Sequence, residues 1–190
     1  MRKLKLQVQI SVNGFIAKPG GELDWMTWGW SDDIKVYVTD LTNSMDTIIL
    51  GRKLAEGFIP YWTDVKANPD HPENEAGKTF TDTPKFVFSK TLIKSLWDNT
   101  TVVNGDFVSE IKKLKDKAGK NIIVYGGAEF VSSLIKEDLI DEYHLFVNPV
   151  AIKEGLTIFD KIPDMKKLSL TYSKQFDCGI NLLHYKVNSD

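Results

Sequence analysis

Cysteine is almost absent from this sequence. Cys178 is the single thiol among 190 residues, so no disulfide can form within the chain. Secreted domains that depend on disulfides carry cysteines in pairs. The composition therefore gives no sign of an oxidising compartment, and we expect a cytoplasmic protein.

Long apolar runs are also lacking, and no stretch is long and apolar enough to cross a bilayer. Arg2, Lys3 and Lys5 open the chain like the basic start of a secretory leader. Residues 4–11, however, alternate apolar and polar side chains, which is typical of a strand and not of a leader's apolar core. We expect no membrane association.

Neither sign of charge is in large excess. The formal net charge is −2 and the isoelectric point is near 5.9, which gives no whole-chain reason to expect a nucleic-acid partner. The length predicts one domain over residues 1–190 with a full hydrophobic core.

Several chemical motifs are missing as well. The sequence contains no G-x-S-x-G and no G-x-G-x-x-G, and Gly77-Lys78-Thr79 lacks the upstream glycine of a P-loop, where Pro72 stands instead. His71, His144 and His184 are far apart in sequence and show no metal-ligand spacing. We therefore predict no metal site.

What the chain does have is a series of short apolar strands that alternate with helices, which is typical of a parallel sheet covered on both faces. The predicted strands are 4–11, 47–50, 85–88, 101–103 and 121–125, and the predicted helices are 32–43, 52–56, 105–117 and 128–135. Residues 61–84 are polar and rich in proline, and we predict a long surface loop there.

The last third changes character. Residues 142–150, 168–176 and 180–187 are longer alternating runs, and Asp177-Cys178-Gly179 is typical of a hairpin turn. We therefore predict an antiparallel hairpin added to one edge of a mainly parallel sheet.

Ligands of open parallel sheets bind at the carboxyl ends of the strands, so the residues that follow each apolar run are informative. They are rich in glycine, small polar groups and cations, which suit a phosphate-bearing ligand. These junctions are Asn13-Gly14, Gly51-Arg52-Lys53, Ser89-Lys90-Thr91, Asn104-Gly105 and Gly126-Gly127. Taken singly, each glycine is also explained by turn geometry alone.

Together, the junctions resemble the dihydrofolate-reductase-like superfamily. The closest resemblance is to the branch typified by the reductase domain of bacterial riboflavin-biosynthesis deaminase/reductases (RibD C-terminal-domain-like). The landmarks are the runs 11–17 (SVNGFIA), 49–53 (ILGRK), 86–91 (FVFSKT), 124–128 (VYGGA) and 139–142 (LIDE) leading to Pro149. The resemblance covers nearly the whole chain and implies a three-layer α/β fold.

The resemblance implies NADPH as cofactor and assigns roles to residues. The implied cofactor-binding residues are Ile16, Ala17, Gly51, Arg52, Lys53, Ser89, Lys90, Gly126, Gly127, Ala128 and Glu129, with a cis peptide between the two adjacent glycines. The implied substrate-binding residues are Asn13, Trp25 and Trp28. A homodimer is expected by the same analogy.

The chain also departs from the pattern, since the helix position that carries the substrate-binding carboxylate in true dihydrofolate reductases falls near Ile34 or Lys35. Dihydrofolate is therefore not the expected substrate. Asp24, Asp32 and Asp33 are the candidate proton donors, and Asp24 is favoured because neighbouring tryptophans would raise the pKa of its carboxyl.

The function predicted on these grounds is hydride transfer from NADPH to a small heterocycle, pyrimidine- or pteridine-like, or to a conjugated carbonyl. The alternative is a protein of the same fold that binds NADPH or a related nucleotide without efficient turnover, because the helix carboxylate is missing.

Overall fold

A computed structural model describes residues 1–26 and 29–187. Its strands are β1 (Leu4–Ser11), β2 (Met45–Gly51), β3 (Lys85–Phe88), β4 (Thr100–Val103), β5 (Asn121–Tyr125), β6 (Glu142–Asn148), β7 (Leu168–Gln175) and β8 (Asn181–Val187). Its helices are α1 (Asp32–Asn43), α2 (Arg52–Ala67), α3 (Asn74–Asp82), α4 (Phe107–Asp116) and α5 (Ala128–Lys136). Most predicted elements lie within a few residues of these bounds.

The strands form one sheet of eight, in the order β4-β3-β2-β5-β1-β6-β8-β7. The pairings from β4 to β6 are parallel, whereas β8 pairs antiparallel with both β6 and β7. The turn between β7 and β8 contains Gly179 at φ 88°, where glycine has no steric penalty. The predicted mainly parallel sheet with a C-terminal antiparallel hairpin is confirmed.

Helices cover both faces of the sheet, which gives the predicted three layers. One face packs against α4 and α5 through residues such as Leu6, Ile111 and Leu134. The other face packs against α1 and α2 through residues such as Ile48 and Ile59. Among the described residues, no helix is long and apolar enough to span a membrane.

The predicted loop over residues 61–84 and the predicted end of the preceding helix at Glu56 are wrong. Helix α2 continues to Ala67, and α3 occupies Asn74–Asp82. The helices pack together, and the ring centroids of Trp62 and Phe80 lie 4.5 Å apart. The few apolar residues of this segment are split between two short helices, so no single helical period is visible in the sequence.

Asn74 joins the two helices. Its amide nitrogen donates to the main-chain oxygens of Val65, Lys66 and Asn68 at 3.1, 3.0 and 2.8 Å. The Val65 oxygen also accepts from the Asn68 N–H at 3.3 Å, and in general the last carbonyls of a helix lack partners within it. The buried Asn74 side chain therefore links α3 to the end of α2 through hydrogen bonds.

Lys85, the first residue of β3, binds the carbonyl oxygens at the C-terminal end of α3. Its side chain is buried, and Nζ donates to the main-chain oxygens of Phe80, Thr81 and Thr83 at 2.9, 2.8 and 2.7 Å. A cation at this position also complements the partial negative charge at the C-terminus of α3. Burial lowers the pKa of the Lys85 ammonium to about 8.

We expect Lys85→Met to lower the free energy of unfolding by about 2–4 kcal/mol, because buried carbonyl oxygens lose charge-assisted donors. Urea unfolding followed by circular dichroism measures this loss. Lys78→Met is the matched control, since Lys78 forms an exposed ion pair with Glu75 at 2.6 Å and exposed pairs contribute little. Equal effects of the two substitutions would contradict the prediction.

Two of the three histidines meet in space, although their spacing in the sequence suggested that they are separate. The antiparallel register of β6 and β8 pairs His144 directly with His184, and their ring centroids are 4.1 Å apart. Glu142 lies on the same face of β6, and its Oε2 is 3.6 Å from the His184 Nε2. Sequence spacing cannot reveal such a pairing, because it depends on strand register.

Candidate functional site: the carboxyl edge of the sheet

Three neighbouring parallel strands, β3, β2 and β5, end at one edge of the sheet. Gly51 pairs with Phe88, and Ile49 pairs with Val124, so the residues that follow these strands lie side by side. Adjacent strands are about 4.8 Å apart, which places the turn after β3 roughly 10 Å from the turn after β5. An extended ligand with several phosphates fits such a row of turns.

The turn after β5 leaves space for a ligand. Gly127 is the N-cap of α5 at φ 82°, a left-handed conformation that favours glycine. A Cβ added to Gly126 would meet no atom within 4 Å. Ala128 and Glu129 begin the nine-residue helix α5, whose first main-chain N–H groups are free to bind an anion. The expected cis peptide is not present, since no peptide bond in the described residues is cis.

The turn after β2 combines a structural glycine with two cations. A Cβ on Gly51 would lie 2.8 Å from the Cβ of Phe130, so the packing of β2 against α5 requires glycine there. Arg52 Nη1 donates to Glu56 Oε1 at 2.6 Å, and Lys53 Nζ lies 3.8 Å from Glu129 Oε2. These pairs are at the surface and weak, so a phosphate can replace either carboxylate.

Ser89 and Lys90 follow β3. The Ser89 hydroxyl oxygen accepts from the main-chain N–H groups of Thr91 and Leu92 at 3.1 and 2.8 Å, which shapes the turn and leaves the hydroxyl proton available. Lys90 is exposed. Asn104 donates to the Ser89 carbonyl at 2.8 Å; the sequence identified Asn104 as a junction residue but did not predict that it supports this turn.

The loop after β1 is fixed by residues 150–156. The Asn13 amide donates to the Ile152 carbonyl at 2.7 Å and accepts from its N–H at 3.1 Å. Ile16 N donates to Leu156 O, and Leu156 N donates to Ala17 O, both at 2.8 Å. Ile16 and Ala17 are buried, and these hydrogen bonds to Leu156 hold their main chain in place at the end of β1. The Asn13 side chain, predicted to bind substrate, is used to join two loops.

The tryptophan-rich segment is described in part. Trp25 is buried, and its indole Nε1 has no hydrogen-bond partner among the residues that the structure describes. Trp28 lies outside the described residues, so its predicted contact with substrate stays a prediction.

The three candidate proton donors lie in polar surroundings. Asp24 is mostly exposed and accepts from Lys18 Nζ at 2.7 Å, so the expected apolar surroundings of Asp24 are wrong. Asp32 is almost fully exposed beside Lys35. A hydrogen bond from the Ser31 hydroxyl lowers the pKa of the Asp33 carboxyl. The main-chain N–H of Asp177 and the Lys174 ammonium lower it further.

The roles of Asp24, Asp32 and Asp33 as proton donors stay a prediction. Ser31 and Asp33 connect the start of α1 to the β7–β8 hairpin, since Ser31 Oγ accepts from Cys178 N at 3.2 Å. A carboxylate held by donors is stabilised in its ionised form, which suits this structural role.

The sheet order, the C-terminal hairpin and the glycine-rich turns define a protein with the dihydrofolate-reductase-like, reductase-type fold. Residues 2–182 match the family model of the RibD C-terminal domain. The chain belongs to the RibD C-terminal domain family.

Two curated relatives span nearly the same length. The uncharacterized protein YyaP of Bacillus subtilis (strain 168) is 32% identical over 191 residues, which cover 98% of this chain and 96% of that protein. The uncharacterized protein YwjB of the same organism is 32% identical over 185 residues, with 97% of each chain covered.

Solved structures show the same fold at lower identity. A putative riboflavin biosynthesis protein from Shewanella sp. PV-4 superposes with a TM-score of 0.78 at 21% identity, and 100% of each chain is covered. The diaminohydroxyphosphoribosylaminopyrimidine deaminase/5-amino-6-(5-phosphoribosylamino)uracil reductase of Thermotoga maritima has a TM-score of 0.71 at 16% identity, over 98% of this chain and 57% of that one. A pyrimidine reductase-like protein from Corynebacterium diphtheriae NCTC has a TM-score of 0.63 at 15% identity, over 100% and 93% of the chains.

Proposed function

We propose that this protein is an NADPH-dependent reductase of a small heterocycle, pyrimidine- or pteridine-like, or of a conjugated carbonyl. The observation that carries the proposal is the row of turns at the ends of β3, β2 and β5. Lys90, Arg52 and Lys53 supply positive charge there, and Gly126 leaves an open cradle before α5. Family membership and the reductases among the structural neighbours support the same activity.

The groups of the candidate site would each contact a different part of NADPH. The main-chain N–H groups at the start of α5 would bind the pyrophosphate, and Arg52 and Lys53 would bind the additional phosphate that distinguishes NADPH from NADH. Ile16 and Ala17, held by Leu156, would orient the nicotinamide and exclude water. When bound, that ring supplies the hydride.

The cofactor site is tested by titration with NADPH and with NADH, followed through quenching of the five tryptophans. We expect Arg52→Ala and Lys53→Ala each to weaken NADPH binding roughly 5- to 10-fold and NADH binding less, because only NADPH carries the additional phosphate. Lys113→Ala on α4 is the control, since Lys113 pairs with Glu110 in an exposed position. Absence of binding by both nucleotides would contradict the reductase proposal.

A second candidate function is nucleotide binding without efficient turnover. The polar surroundings of Asp24 and Asp32, which are exposed and paired with Lys18 and Lys35, support it. The two candidates differ in NADPH consumption when pyrimidine, pteridine and conjugated carbonyl compounds are supplied. Steady oxidation with any of them favours the reductase, and tight binding without oxidation favours the second candidate.

We also propose a cytoplasmic homodimer. The single cysteine and the net charge of −2 support a cytoplasmic setting with a small-molecule ligand, and the dimer rests on analogy with the family. Light scattering on the purified protein would then give twice the 21.5 kDa of one chain.

A further inference from the structure

Strands β6 and β8 bring a carboxylate and two imidazoles together beneath α1. Glu142 and His144 are both buried, with 6% and 3% of their surface exposed. Glu142 Oε2 is 3.8 Å from His144 Nε2 and 3.6 Å from His184 Nε2. One potential ligand atom from each residue lies within 4.8 Å of the other two.

Both Nε2 atoms are buried, and among the described residues neither has a partner at hydrogen-bond distance, since Glu142 Oε2 lies further away at 3.8 and 3.6 Å. Buried polar atoms normally have one, and a buried atom without a partner is costly. The other ring nitrogen of His144, Nδ1, lies 2.9 Å from the Tyr37 hydroxyl. In the tautomer in which Nδ1 carries the proton and donates it to the Tyr37 oxygen, the ring is held in place and Nε2 keeps its lone pair for an ion.

We propose that Glu142, His144 and His184 bind one divalent transition-metal ion of the zinc type. Two imidazoles and one carboxylate are a frequent set of protein ligands for zinc, and a water molecule completes the tetrahedron. The ion connects β6 to β8, the strand that joins the C-terminal hairpin to the parallel part of the sheet.

Binding requires two rearrangements. The imidazole rings are stacked with an interplanar angle of 13°, and ring lone pairs lie in the ring plane, so one ring must turn about its Cβ–Cγ bond. His184 is the ring that turns, since its side chain is 16% exposed whereas that of His144 is 4% exposed and held by Tyr37.

The second rearrangement concerns the lysines that now neutralise Glu142. Lys3 Nζ is 3.0 Å from Oε1, and Lys5 Nζ is 3.6 Å from Oε2. The Lys3 side chain is half exposed and can move into solvent. Lys5 has the Ser44 hydroxyl as a second partner at 3.3 Å. The metal ion replaces the lysines as the positive partner of the carboxylate.

This site is distinct from the proposed cofactor site. Glu142 begins β6, whereas the cofactor turns lie at the carboxyl ends of the parallel strands. Asn148, the last residue of β6, is six positions further along the strand than Glu142, a length of about 20 Å. Metal binding and NADPH binding can therefore be measured independently.

The test is a Co²⁺ titration of untagged, chelator-treated protein, followed through the visible absorption of tetrahedral Co²⁺ and reversed with Zn²⁺. We expect one ion per chain. His184→Gln and Glu142→Gln should each weaken binding more than about 10-fold, because each removes a ligand. His71→Gln is the matched control; its Nδ1 accepts from the Glu73 N–H in an exposed position, and this variant should bind as the wild type does.

Lys3→Gln makes the test independent of damage to the fold. It leaves all three ligands in place and removes a competing cation, so we expect metal binding to tighten several-fold. Zn²⁺ should also raise the thermal midpoint of wild type but not of His184→Gln. No stoichiometric uptake by the wild type, undiminished binding by a folded His184→Gln variant, or weaker binding by Lys3→Gln would overturn the proposal.

Discussion

We expect the Gly126→Ala variant to keep the stability of the wild type and to bind NADPH about 10- to 100-fold more weakly. The added methyl group meets no protein atom within 4 Å, and alanine lowers the conformational entropy of the unfolded chain, so the fold is not penalised. In the proposed complex the same space holds phosphate oxygens. Loss of one charge-assisted main-chain hydrogen bond corresponds to roughly 1.5–3 kcal/mol, which is the expected loss of affinity.

Thermal unfolding and tryptophan-quenching titrations on the same preparation separate the two effects. Gly57→Ala is the control, because Gly57 lies in α2 and a Cβ there also meets no atom within 4 Å. A helix interior favours alanine over glycine, so this variant should be slightly more stable and should bind NADPH normally. Unchanged NADPH binding by Gly126→Ala would show that the cradle before α5 does not hold the phosphates.

A large loss of stability is also expected for Gly155→Ala. A Cβ at Gly155 would lie 2.2 Å from the carbonyl oxygen of Ala17 and 3.2 Å from the Cβ of Phe15. Neither contact can relax without moving the main chain of the β1 loop, whose hydrogen bonds to Leu156 would break. We expect the free energy of unfolding to fall by about 2–4 kcal/mol, which lowers the thermal midpoint by roughly 5–15 °C.

Gly20→Ala is the control for this prediction. A Cβ at Gly20 would also lie 2.2 Å from another atom, but that atom is Oε1 of the Glu22 side chain. The Glu22 carboxylate is flexible and exposed, so it moves aside at little cost. Similar midpoints for Gly155→Ala and wild type would mean that residues 150–156 do not fix the β1 loop.

Much of the architecture could be predicted because the strands are short, apolar and bounded by glycine or polar residues. Strand β1 was predicted with its observed bounds, Leu4–Ser11, since alternation over eight residues leaves little ambiguity. The segment from Tyr61 to Pro84 was not predicted, because α2 and α3 are stabilised by each other through Asn74, Trp62 and Phe80. Contacts between two elements leave no periodic signal in either one.

The sequence by itself determined the layered α/β class, the C-terminal hairpin and the row of glycine- and cation-bearing turns. These features follow from residue types at short separations, where backbone geometry and apolar periodicity act locally. Only the tertiary structure decided that Asn13 joins two loops, that Asp24 pairs with Lys18, and that Glu142, His144 and His184 meet. Each of these depends on strand register or loop packing between residues that are separated in the chain, and single-sequence patterns do not encode such distances.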